Sequence, residues 1–270
     1  AKFSYRPSER STLWGSVARA VRTPSRTEDT ISFILLEQPT VPPTVIVGQG
    51  NPDIESEELI AYELGYRFSP QEGLVFDIAG YYNDYDNLVT LMPGTPFFNG
   101  SAVIVPTPVM NISDAEIYGV ELSGSWQVTP SWKLAGYYTF SELTVNTPNI
   151  GPAFSAYQDL SLLNDYESLW PEQTFSIRSY YNVTDNVELD AALYYMPSLG
   201  TVTNLDGTPR NVDAYLRGDV RLGWRPWEGL EVSLAGLNLI EGEHAEFTDS
   251  RFNRATLIGR SYYGKVTWHF

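Results

Sequence analysis

The sequence predicts an all-β chain, an antiparallel transmembrane β-barrel meander of about eleven strands with lipid on one face and water on the other. Three observations predict it. Apolar and polar residues alternate with a period of two along successive segments, short and long connections alternate between those segments, and tryptophans gather beside the short ones. A period of two places one list of side chains on each face of a strand. A wall between hydrocarbon and an aqueous lumen needs both lists.

The last ten residues show the pattern most plainly. Tyr262, Gly264, Val266, Trp268 and Phe270 form one list, and Ser261, Tyr263, Lys265, Thr267 and His269 the other. At the amino end, Ala1-Lys2-Phe3-Ser4-Tyr5 already alternates like a strand, with no signal peptide before it, so the reading places the start in mid-protein. Leu13 to Val21 reads as a strand whose faces the sequence leaves unassigned. Ser56 to Leu64 has the composition of a helix start. Yet Ile60, Tyr62, Leu64, Tyr66 and Phe68 alternate against Ala61, Glu63, Gly65 and Arg67, so a strand is predicted there.

The same alternation recurs down the chain. Leu74, Phe76, Ile78 and Tyr82 oppose Asp77, Tyr81 and Asn83, and Tyr118, Val120, Leu122 and Trp126 oppose Glu121, Ser123, Ser125 and Gln127. Trp132, Leu134, Tyr138 and Phe140 face away from Lys133, Tyr137, Thr139 and Ser141. Phe175, Ile177, Tyr181 and Val183 do the same against Ser176, Arg178, Tyr180 and Asn182. Next come Val187 to Tyr195 against Glu188, Asp190 and Tyr194, then Leu216 to Trp224 against Arg217, Asp219, Arg221 and Arg225. Leu230, Val232 and Leu234 oppose Glu231 and Ser233. Asp219 between two arginines, or Glu188 with Asp190, is more charge than a buried sandwich face tolerates, so the polar lists must see water or each other.

Tight connections are predicted near Pro7 to Arg10, Pro70 to Gly73, Thr129 to Ser131, Thr184 to Asn186 and Pro226 to Gly229, each with turn-forming residues. Long ones span Arg22 to Glu57, Leu91 to Ile112, Val145 to Pro171, Pro197 to Val212 and Glu241 to Ile258. Outer-membrane barrels keep short turns at one end and long loops at the other. Trp126 and Trp132 flank one short turn, Trp224 and Trp227 another, and Trp268 with Phe270 lies at the same end, which reads as an interfacial girdle.

Composition narrows the class further. The 270 residues are 43% hydrophobic, yet no run approaches the ~18 apolar residues of a membrane helix. A formal net charge of -16 makes nucleic acid a poor partner, and the absence of cysteine removes disulfides, thiolate metal sites and cysteine nucleophiles. An odd strand count leaves the first and last strands parallel, so they cannot close as an antiparallel pair. The chain therefore reads as part of a larger barrel with two unpaired edges.

Several segments together carry a resemblance. They are Leu13 to Ser25, Ala61 to Arg67 (AYELGYR), Ala115 to Leu122 (AEIYGVEL), Gly236 to Leu239 (GLNL), and Gly259 to Phe270. On these the chain resembles the carboxy-terminal half of the TonB-dependent outer-membrane receptors. The resemblance implies residues 1–270 of a 22-stranded barrel whose plug domain lies upstream, in the outer membrane of a Gram-negative bacterium. It implies active uptake of a scarce nutrient, most often a ferric siderophore or other iron complex, with no catalytic residues and no resident cofactor. It also implies partners: lipid and lipopolysaccharide, the TonB-ExbB-ExbD complex through the plug region, and the barrel-assembly machinery through the strand ending at Phe270.

Ligand contacts are expected on the lumen arginines Arg178, Arg217 and Arg221, and on the loop aromatics Phe97, Phe98 and Tyr157, with Phe154 beside them. Arg26 to Glu58 holds Glu28, Asp29, Glu37, Asp53, Glu55, Glu57 and Glu58 against one basic residue, Arg26, and reads as a solvated acidic loop. The only histidines are His244 and His269; His244 lies among Glu241, Glu243 and Glu246 and reads as solvated rather than as a metal ligand. Asp84 to Asn87 and Asn204 to Gly207 lack the full spacing of a calcium loop. Two other classes stay open on the residues alone: an outer-membrane barrel enzyme of lipase or protease type, and a soluble carbohydrate-binding β-sandwich.

Overall fold

The computed structural model describes residues 1–148, 167–203, 209–247 and 255–270. Strands Lys2–Ser8 (β1) and Ser11–Arg22 (β2) lead to a short helix, Arg26–Thr30 (α1), and to Ser32–Gln38 (β3) and Thr44–Gln49 (β4). Glu57–Gln71 (β5), Leu74–Leu91 (β6), Phe97–Phe98 (β7), Val103–Thr129 (β8) and Trp132–Asn146 (β9) follow. Then come Gln173–Thr184 (β10), Val187–Met196 (β11), Leu199–Thr203 (β12), Pro209–Val212 (β13) and Tyr215–Trp227 (β14). Leu230–Leu237 (β15), Glu243–Ala245 (β16), Leu257–Gly259 (β17) and Ser261–Trp268 (β18) complete the chain.

The wall runs β1-β2-β5-β6-β8-β9-β10-β11-β14-β15-β18, eleven strands in chain order, with β1 and β18 at its two open edges. Every pairing along it is antiparallel. The register aligns whole rows of side chains. One row is Tyr66, Ile78, Leu122, Tyr138, Phe175 and Tyr195. Its opposite-face neighbour is Arg67, Asp77, Ser123, Tyr137, Ser176, Tyr194 and Arg217. The faces of β2, which its own sequence does not decide, follow from its partner: Leu13 pairs with Tyr66 and Val17 with Tyr62, so both join the apolar face.

Among the described residues no second layer covers that apolar face. Leu64 is 56%, Leu234 62% and Val266 67% exposed. A soluble sandwich would bury this face, so that alternative is excluded. Trp126, Trp224, Trp227 and Trp268 are also exposed beside the short turns. Each short-turn hairpin carries a register shift just before its turn, which sharpens the local twist. Gly73 and Gly229 occupy turn positions at φ 76° and 84°, where a Cβ would be strained.

The long-loop end departs from expectation. The expected loop from Leu91 to Ile112 is half strand, because β8 continues beyond the wall. There it pairs with β7, and in parallel with β4, from Thr44 opposite Val103 to Gln49 opposite Pro108. The Arg22 to Glu57 loop is likewise α1 followed by the β3–β4 hairpin. The β-branched runs Thr44-Val45-Ile46-Val47 and Val103-Ile104-Val105 suit a pleated surface and find each other across the chain. Leu35, Ile46 and Val105 form a buried core there, flanked by Leu36 and Leu91.

Candidate functional site

Two parts of the molecule concentrate polar chemistry: the polar face of β10, β11, β14 and β15, and the mouth formed by the long loops. On the polar face, Arg221 donates from Nη1 to Asp190 at 2.9 Å and Glu188 at 3.2 Å, and from Nη2 to Glu231 at 2.6 Å. Arg225 pairs with Glu188 as well. Arg217 grips Asp219 with two bonds of 3.0 and 2.8 Å, and Asp219 accepts the Asn238 backbone N–H at 2.9 Å. These arginines are compensated by the wall itself. A guanidinium whose donors already meet carboxylates has little left for a further anion.

Arg178 differs. Its guanidinium and that of Arg217 lie 5.5 and 5.4 Å from the centre of the Tyr194 ring, within cation–π range. Arg178 is exposed, and among the described residues no carboxylate pairs with it. Tyr194 was not singled out from the sequence; its signal was its place on the polar list with Glu188 and Asp190. A hollow of about 180 Å³ lies here, lined by Arg178, Tyr180, Asp190, Tyr194, Arg221 and Tyr263. That is below the roughly 300 Å³ at which small-molecule pockets begin, so it accepts a ligand's edge or a side chain.

The expected aromatics lie elsewhere. Phe97 and Phe98 sit on the loop sheet as β7, 54% and 59% exposed, paired with Ile104 and Val103. Tyr157 and Phe154 lie outside the described residues, as do Asn204 to Gly207. The structure thus brings Arg178 and Arg217 together around Tyr194, with Arg221 on the same face, and leaves Phe97 and Phe98 on a different sheet.

The acidic loop is not merely solvated, because two of its carboxylates are held by an arginine outside it. Arg22 donates to Glu28 at 2.9 and 3.2 Å and to Glu57 at 2.7 Å. Its guanidinium holds the Glu28 carboxyl below the usual carboxylate range. Ser25 and Glu28 form a capping box on α1. Asn111 closes the loop's far end: its Oδ1 accepts Glu55 N–H at 2.7 Å, and its Nδ2 donates to the Asn87 and Glu55 carbonyls at 2.6 and 3.1 Å.

The solvated reading of His244 is also corrected. It is 6% exposed and stacks on Tyr215, with ring centres 3.9 Å apart and planes at 17°. The aromatic neighbour lies on β14, too distant in sequence for a local window to find. Its Nε2 is 3.4 Å from Glu246.

Residues 1–239 match the family described as TonB dependent receptor-like, beta-barrel. The catecholate siderophore receptor Fiu of Escherichia coli is 28% identical over 129 residues, covering 47% of this chain and 16% of that protein. The iron-regulated outer membrane virulence protein of Vibrio cholerae is 27% identical over 223 residues, covering 68% and 32%. Among solved structures, a mutant of the ferric enterobactin receptor PfeA of Pseudomonas aeruginosa superposes with a TM-score of 0.74 at 19% identity, covering 100% of this chain and 39% of that one. The closed form of Fiu gives 0.71 at 20% identity, with 100% and 34% covered. The chain therefore spans less than half the length of each. An uncovered apolar face, a charged opposite face, segregated turns and loops, and this match together decide the identity: the chain belongs to the TonB-dependent receptor β-barrel family of the Gram-negative outer membrane.

Proposed function

We propose that this chain is the carboxy-terminal wall of a receptor that takes up a ferric siderophore, or another iron complex, across the outer membrane. The observation that carries the reading is the pairing of a lipid-facing apolar surface with a lumen face bearing Arg178, uncompensated by any described carboxylate. The names of the relatives point the same way, toward catecholate siderophores and ferric enterobactin. A ferric catecholate is anionic and aromatic. A guanidinium against a tyrosine ring offers it charge and a stacking edge.

In this reading Arg178 is the principal lumen contact, with Arg217 sharing the Tyr194 ring and Arg221 holding the wall's own carboxylates in place. Phe97, Phe98 and Tyr157 would meet the ligand earlier, at the mouth. Residues 1–270 are one barrel domain, completed by upstream strands and a plug. The plug region would engage the TonB-ExbB-ExbD complex, the strand ending at Phe270 the barrel-assembly machinery, and the rim lipopolysaccharide. The family transports rather than catalyses, so no group here is assigned a catalytic role.

Iron-limited growth with and without the intact gene tests uptake as such. Uptake of radiolabelled ferric catecholate by cells carrying Arg178→Ala tests the contact, and a fall of about tenfold is expected for one lost charge-assisted contact. Unchanged uptake in that variant removes Arg178 from the site.

A further inference from the structure

Glycine on a lipid-facing strand is unfavourable unless something approaches the backbone there. At Gly15, Gly218 and Gly236, the space a Cβ would take is occupied by the chain's own Phe3, Ile240 and Leu239. At Gly136 a Cβ would meet nothing nearer than the Ser176 carbonyl at 3.8 Å. Gly136 pairs directly with Gly124, where the Phe76 ring comes within 3.3 Å of the Cβ position, so the floor is open at Gly136 and flanked by Phe76 at Gly124.

The surrounding rows turn this floor into a trough. Phe68 and Phe76 stand on one side and Phe175 and Ile177 on the other, with Leu122 and Tyr138 one row nearer the long loops. Trp126 and Leu134 lie one row nearer the short turns. The trough has a volume of about 670 Å³, within the roughly 300–1,000 Å³ of ligand pockets, and its strands all belong to this chain.

We infer that this trough is a binding site for one acyl chain of a membrane phospholipid. The side chains framing it on this face are apolar or tyrosyl, and the trough continues the hydrocarbon-facing band without interruption, so the medium around it is lipid. A second copy fits poorly. A twofold contact would set this concave patch against itself and leave a void between the two floors. An acyl chain lying over Gly136 touches backbone beneath, the Phe76 ring on one side and Phe175 with Ile177 on the other. In hydrocarbon it is packing of this kind, not the hydrophobic effect, that sets the preference. The inference rests on the membrane-facing assignment alone and stands or falls separately from the siderophore reading.

The test uses the intact receptor, reconstituted in vesicles of phosphatidylethanolamine and phosphatidylglycerol that include a phosphatidylethanolamine with a photoreactive diazirine on its acyl chain. After irradiation, peptide mapping is expected to find label on Phe76, Leu122 or Tyr138 in preference to the lipid-facing Val183 and Leu189. Gly136→Leu, which fills the floor, is expected to lower that label roughly threefold, the size of a packing contact within hydrocarbon, and to leave Val183 and Leu189 unchanged. Ile177→Trp fills the trough from its side and serves where Gly136→Leu fails to give a heat-modifiable barrel. Label spread evenly around the band, or label that neither substitution lowers, overturns the inference. So do receptor-to-receptor crosslinks at this row that the substitutions abolish, since those assign the trough to a second copy.

Discussion

The wall and the loop sheet above it are both pleated β-structure, and they place their apolar residues in opposite surroundings. On the wall the apolar list is exposed, with Leu64 at 56% and Val266 at 67%, while on the loop sheet Ile46 and Val105 are both at 0%. Their patterns differ too, continuous β-branched runs in the loop sheet and period-two lists on the wall. The difference is the solvent each expects: the loop sheet stands in water and must make its own core, whereas the wall leaves its apolar face to hydrocarbon. What reads as a missing core in the wall is a surface matched to a different medium.

The comparison breaks most visibly at Ile46. Ile46→Ala is expected to cost the loop sheet about 2–5 kcal/mol through the cavity it leaves, without affecting the wall. Hydrogen exchange over residues 32–49 should then rise steeply, while the intact barrel keeps its heat-modifiable mobility in gels. Loss of the barrel itself would mean the two regions form one cooperative unit.

A slightly smaller effect is expected on the wall. Leu64→Arg places a charge on the lipid face and should destabilise the barrel by about 2–4 kcal/mol near mid-depth, measured by urea unfolding in vesicles. Ser123→Arg, on the opposite face, should change it far less. Equal costs at the two positions would erase the distinction between the faces.

The smallest effect concerns the mouth. Arg22→Ala should loosen α1 and the β3–β4 hairpin by about 1 kcal/mol, since the guanidinium is half exposed and screened. Its pH counterpart has a definite sign. Glu28 has a folded pKa below its unfolded one, so its contribution is complete above the ordinary carboxylate value of 4.5 and is lost as pH falls through the lower folded value. Limited proteolysis of residues 26–56 should therefore accelerate on acidification below about 4.5 and much less so in Glu28→Gln. Acceleration that is identical in the variant would place the sensitivity elsewhere.

The face on which the candidate arginines stand was legible because they lie on the period-two lists. Arg178, Arg217 and Arg221 fall on the polar face as their positions require. Which of them is already satisfied was not legible, since Glu188, Asp190 and Glu231 reach Arg221 from neighbouring strands. The acidic loop misled for the same reason: Arg22, the partner of Glu28 and Glu57, lies just before it on β2.

By itself the sequence determined the wall: its strands, the faces of nearly all of them, and which connections turn tightly. Alternation and turn chemistry are local properties, readable within a few residues. Tertiary structure alone decided the orientation of β2, the parallel pairing of β4 with β8, the burial of His244 against Tyr215 and the open floor at Gly136. Each of these depends on which residue arrives opposite another from a distant segment. Register between strands fixes that meeting, and no window along one strand contains it.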